Sequence, residues 1–154
     1  MHNWFECKIK YDKTAEEGKI VTASETYLVD ALSFTEAEER IIEEMTPFIS
    51  GEFTVANIRR IKINEMFPNE ADIADKWYRC KVIFISPDEE KGVEKRTAVA
   101  MFVQAGNLKS ACDSLIEGMK GSLADYEIAS IIETAIMDVF LYNAEKVAEK
   151  DSEE

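Results

Sequence analysis

Trp4–Lys8 reads WFECK and Trp77–Lys81 reads WYRCK, and this recurrence decides the fold. Trp4 to Trp77, Cys7 to Cys80 and Lys8 to Lys81 are each 73 residues apart, so the two words align without a gap. Working outward, YLVDALSFTEAEERI from Tyr27 aligns with MFVQAGNLKSACDSL from Met101 at an offset of 74, which matches Val29 with Val103, Ala31 with Ala105, Ala37 with Ala111 and Met45 with Met119. The offset then returns to 73, pairing Phe53 with Tyr126, Val55 with Ile128 and Phe67 with Phe140. One residue gained and later lost is what loops between conserved elements tolerate. Agreement at this many positions in one order marks a duplicated unit.

Each unit reads alike. Phe5, Cys7, Ile9 and Tyr11 alternate with Glu6, Lys8 and Lys10, the period of two that marks a half-buried strand, and Tyr78, Cys80, Val82 and Phe84 repeat it. DKTAEEGK and SPDEEKGVEK are polar, contain Gly and close hairpins onto the second strands TYLVDA and AMFVQA. Ser33 with Glu36 three residues later is a capping box, so a helix begins there. Its apolar stripe is Ala37, Ile41 and Met45, with Glu36, Glu39, Arg40, Glu43 and Glu44 turned to water. Asn107 caps the second helix, whose stripe is Leu108, Ala111, Cys112, Leu115 and Met119. FTVANIRRIKINEMF and YEIASIIETAIMDVF are rich in Ile and Val, yet Ile128, Ile131, Ile132, Ala135 and Ile136 also fit a helical stripe. Alternation of Arg60, Lys62 and Asn64 with Ile61 and Ile63 makes both long strands, with a bulge near Ile58 and Ile131.

The sequence therefore predicts an α+β protein: a tandem β-β-α-β repeat in which a largely antiparallel sheet carries two helices. Residues 1–143 form a single compact domain of two related units, 4–67 and 77–140, joined by the polar, proline-marked FPNEADIADK, and 144–154 form a charged C-terminal tail. A chain of 154 residues with 46% hydrophobic content is long enough to bury a core.

Composition narrows the function. With 31 acidic against 18 basic residues the formal net charge is -13, which opposes approach to a phosphate backbone, so direct nucleic-acid binding is not expected. The acidity reads first as a solvated surface and second as an acidic partner surface or a nucleic-acid mimic. No apolar run has signal-peptide or membrane-span length, which gives a soluble, cytoplasmic reading with no membrane association. Cys7, Cys80 and Cys112 are odd in number and lack CxxC spacing, so they read as buried free thiols in a reducing compartment, with no metal site. His2 is the one histidine and sits at an unanchored terminus, so mechanisms that need imidazole have no candidate. Carboxylate pairs such as Glu43 with Glu44 arise from composition, and no phosphate-binding glycine motif exists. No catalytic residue and no cofactor are assigned, and the chain is read as a non-enzyme.

The motifs WFECKIKY, YLVDALSFTEAEERIIEEM, FISGEFTV and GSLADYEIASIIETAIMDVF resemble an uncharacterised domain-of-unknown-function family of gut bacteria and their phages, from Trp4 to about Phe140. The resemblance implies a small cytoplasmic protein associated with mobile elements and carries over no activity, cofactor or site. The functional expectation is a non-catalytic acidic module that binds a protein, a phage or mobile-element accessory acting on a host component. Two alternatives stand beside it: a small-ligand binder holding a nucleotide or metabolite in the cleft between the units, and a nucleic-acid mimic. An enzyme using carboxylates alone ranks last. The candidate partner- or ligand-binding residues are Trp4, Trp77, Arg79 and Lys81: indole beside Arg and Lys stacks on a planar anion or anchors a partner, while packing of each Trp at its strand end is the favoured reading.

Overall fold

The computed structural model describes residues 2–141, so the expected charged tail at 144–154 lies outside the described residues. The protein is α+β, and among the described residues two α-helices and eight strands make two largely antiparallel four-stranded sheets. Of the described residues, those up to Ile61 and from Ile136 onward form one compact unit, and Lys62–Ala135 form the other.

In the first unit the sheet order is β3 (Phe53–Ile61), β1 (Trp4–Thr14), β2 (Ile20–Asp30), β8 (Ile136–Phe140). Strand β1 (Trp4–Thr14) turns through a short 3-10 segment into β2 (Ile20–Asp30), antiparallel from Trp4 opposite Asp30 to Thr14 opposite Ile20. Helix α1 (Phe34–Met45) follows, its first turn capped by Ser33 Oγ, which accepts from Glu36 N at 3.1 Å. The carboxylate of Glu36 reaches back to Leu32 N, one residue beyond the cap. Strand β3 (Phe53–Ile61) lies antiparallel to the far side of β1, and β8 (Ile136–Phe140) adds parallel to β2. Alternation sends Phe5, Cys7 and Ile9 to the α1 side of the sheet, where they meet Tyr27 and Val29 of β2, Ala31 just after it and the helix stripe Ala37, Ile41 and Met45. Fully burying a side chain such as Ile41 contributes about 1.5 to 3 kcal/mol.

The second unit follows the same plan. β5 (Lys76–Asp88) and β6 (Val93–Ala105) form the hairpin, α2 (Leu108–Gly118) follows with Asn107 Oδ1 accepting from Ser110 N, β7 (Asp125–Glu133) flanks β5, and the short β4 (Glu65–Phe67) adds parallel to β6. Trp77 lies opposite Gln104 as Trp4 lies opposite Asp30, and the core is Tyr78, Cys80, Val82, Met101, Val103, Ala105, Ala111, Leu115 and Met119.

Two expectations are corrected, the continuity of the last strand and the width of the α2 stripe. The expected single strands over 53–67 and 126–140 are each broken, at 62–64 and 134–135, so each half runs β-β-α-β-β. The break is made by hydrogen bonds to distant residues. Thr134 donates both its N–H and its Oγ1–H to Trp77 O, ending β7 where β5 begins, while Asn64 N donates to Ala100 O and turns the chain onto β6. The severed ends then pair with the hairpin of the other half, β4 with β6 and β8 with β2, so each compact unit takes one short strand from the other half of the sequence. The expected bulges near Ile58 and Ile131 are present, centred on Ala56 and Ala129, because Lys8 and Ile9 pair with Asn57 and Val55, and Lys81 and Val82 with Ser130 and Ile128. Finally, the α2 stripe is narrower than expected: Leu108 is 55% exposed and Cys112 only half-buried.

Candidate functional site

Trp77, Arg79 and Lys81 alternate onto one face of β5, and Trp4 occupies the corresponding position of β1 in the other unit. Arg79 and Lys81 are exposed, but Trp4 and Trp77 keep only 4% and 3% of their surface. Stacking on a planar ligand needs an open ring face, and indoles this shielded offer none. Their burial favours the packing role, and Trp77 O also receives the two Thr134 hydrogen bonds.

The thiols are equally unsuited to chemistry. Burial pushes the Cys7 pKa up to about 12, with Glu6 adding to it, and the Cys80 pKa up to about 11, with Cys112 adding to it. Thiolate is the nucleophilic form, so both are inert near neutrality. Among the described residues no cluster of His, Cys, Asp and Glu is placed to hold a metal ion. Among the same residues no helix is long and apolar enough to cross a membrane.

The sequence reading missed two features that the structure brings forward. The first is a polar knot in the first unit. Asp30 is buried, its carboxylate accepts from Asn3 N at 3.1 Å and is hydrogen-bonded to His2 Nδ1, so His2 is anchored rather than loose. Arg40, from the outer face of α1, spreads its guanidinium over two backbone carbonyls: Nη1 donates to Asp30 O and Nη2 donates to Leu141 O at 2.7 Å.

The second is an open groove of about 690 Å³ in the second unit, between α2, the end of β6 and the segment after β4. Glu70, Asp113 and Glu117 give it acidic walls, Phe67 its apolar floor, and Gln104 and Ser114 further polar groups. Gln104 Oε1 accepts from Asn69 N at 2.9 Å, and Asn69 Oδ1 accepts from Ala71 N, which fixes the segment as an Asx turn. Gly118 lets the Phe67 ring lie against α2, since a Cβ there would come within 2.5 Å of Cε1. Lys120 pairs with Glu117 at 2.7 Å, both side chains well exposed.

A signal for both features was present in the aligned halves, in the positions that fail to match. At the offset of 74, Arg40 faces Ser114, Glu44 faces Gly118 and Asp30 faces Gln104.

In comparison with known proteins, the family described as Domain of unknown function (DUF4494) matches residues 3–142. No curated protein and no solved structure matches.

Proposed function

The chain belongs to this family of unknown function, and from that premise we propose that it is a non-catalytic module that binds a protein partner through the second unit. The groove beside α2 carries the reading. It is concave and acid-walled, and α2 adds Leu108 and Ile116, 55% and 43% exposed, as apolar contacts of the kind a protein interface buries. A partner with a basic segment fits this chemistry better than a nucleic acid, which the charge of -13 repels. The same charge and the free thiols support a cytoplasmic location, and the partner is proposed as a host component met by a phage or mobile-element protein. We propose further that the halves arose by duplication, supported by their shared strand order, register and bulge positions.

The test is retention of partners by the immobilised full chain, compared with Asp113→Asn and Glu117→Gln variants. Retention should fall in the variants and fall again as salt shortens the Debye length from about 10 Å at 0.1 M to about 3 Å at 1 M. Retention indifferent to both changes contradicts the reading, and competition by DNA for the retained partner supports the nucleic-acid mimic instead. A melting-temperature rise with a nucleotide or metabolite supports the small-ligand alternative.

A further inference from the structure

The two units place their equivalent groups by the same registers. Asp30 and Gln104 each lie opposite the Trp that opens the hairpin. Phe140 pairs beside Val29 as Phe67 pairs beside Val103, so Leu141 and Pro68 are the equivalent next residues. In the first unit the Asp30 and Leu141 carbonyls hold the Arg40 guanidinium. In the second unit the carbonyls at those positions are those of Gln104 and Pro68, both residues lining the groove, and the position of Arg40 holds Ser114. The acids on either side persist: Asp113 and Glu117 stand where Glu39 and Glu43 stand. Removing the cation while retaining the acids leaves a place with the acceptors and the charge for a guanidinium, but without one. Neither Glu70 nor Asp113 is paired with a cation among the described residues.

We infer that the groove is a receptor for an arginine side chain presented by the protein partner, whose guanidinium takes the place in the second unit that Arg40 takes in the first. This rests on the protein-binding reading above and names the group the partner must carry. The Lys120–Glu117 pair does not block it, because a pair this exposed is weakly held and exchanges readily. Arginine is favoured over lysine, since one planar fork reaches two carbonyls and still faces the carboxylates, whereas an ammonium is a point donor with a larger hydration cost.

The experiment maps backbone amide shifts in the full chain during titration with a blocked Gly-Arg-Gly peptide, with lysine and citrulline versions as controls. The arginine peptide should perturb the amides of Asn69, Glu70 and 113–118, and citrulline should bind at least about tenfold more weakly, as loss of a charge-assisted hydrogen bond entails. Ser114→Arg, which supplies the cation from within, should abolish the response, and the exposed Glu117→Gln should weaken it without disturbing the fold. No response from the wild-type chain, equal response to citrulline, or an undiminished response in folded Ser114→Arg would overturn the inference. Partner retention separates the two readings. A partner held equally by wild type and Ser114→Arg leaves the protein-binding reading standing and removes the arginine receptor. Peptide binding at the groove with no retained partner does the reverse.

Discussion

Arg40 and Ser114 hold matching positions when the two halves are aligned at an offset of 74, and the contrast between them is one between a tied-down helix and an open groove. In the first unit a guanidinium ties α1 to the end of β2 and to the residue after β8. In the second, a serine and a helix-end glycine leave that volume open, and the segment following β4 is held instead by the Gln104 side chain. The cores do not take part in the difference: Ile41 and Leu115 are both fully buried at matching positions. Function is thus expected where the units diverge, and stability where they agree.

The agreement is tested by the largest effect. Ile41→Ala and Leu115→Ala should each destabilise by about 2 to 5 kcal/mol, the transfer loss plus the cavity left behind. In a chain of this size that is roughly 2 to 4 °C of melting temperature per kcal/mol, and the two costs should match. A severe loss in one and a negligible loss in the other would break the equivalence of the cores.

The next effect sharpens the divergence. Leu32 is 72% exposed, while the matching Gly106 lies under Ile73, where a Cβ would fall 2.3 Å from the Ile73 carbonyl oxygen. Gly106→Ala should cost about 1 to 3 kcal/mol because backbone has to move, and Leu32→Gly should cost less. Equal melting temperatures for the two variants would show that the segment before β5 is not seated on Gly106.

Arg40→Ser, which makes the first unit resemble the second, should lower stability by about 1 to 2 kcal/mol through loss of two partly exposed charged hydrogen bonds. Thermal melts check it, and an unchanged melt would reduce Arg40 to a surface charge.

The smallest effect near neutrality is shared by both units and appears only in alkali. The Cys7 and Cys80 pKa values are raised to about 12 and about 11 from an ordinary 9.0. The folded state therefore holds these protons when the unfolded chain has lost them. Their contribution is complete below about pH 9 and is lost as pH rises through the folded values. Stability should decline between those limits, less steeply in Cys7→Ala and Cys80→Ala, and a flat profile would contradict the burial of both thiols.

The hairpins, capped helices and inward cysteines were legible because each is written in local periodicity: alternation for strands, spacing of four for the α1 stripe, Ser33 and Asn107 for the caps. The break of the last strand was not. Ile61–Ile63 keeps the alternation of a continuous strand, and the decision to leave the sheet is made by long-range bonds, Asn64 to Ala100 and Thr134 to Trp77, that no window of sequence contains. The parallel pairing of β4 and β8 is hidden for the same reason. The Trp words mark β1 and β5, and the burial of both rings favours the packing reading over the binding one. Composition around Trp77 suggested binding, whereas burial depends on what packs over the ring. The groove shows in the sequence only as mismatches between the aligned halves, Arg40 with Ser114 and Glu44 with Gly118.

The most direct test of the account exchanges the two positions. In the double variant Arg40→Ser with Ser114→Arg, amide shifts induced by the blocked arginine peptide should leave 113–118 and appear at 39–44, because the same carbonyl pair and the same flanking acids await a guanidinium in either unit. Shifts that remain at 113–118 in the folded variant would contradict the claim that Arg40 and Ser114 hold one structural position, filled in one unit and open in the other.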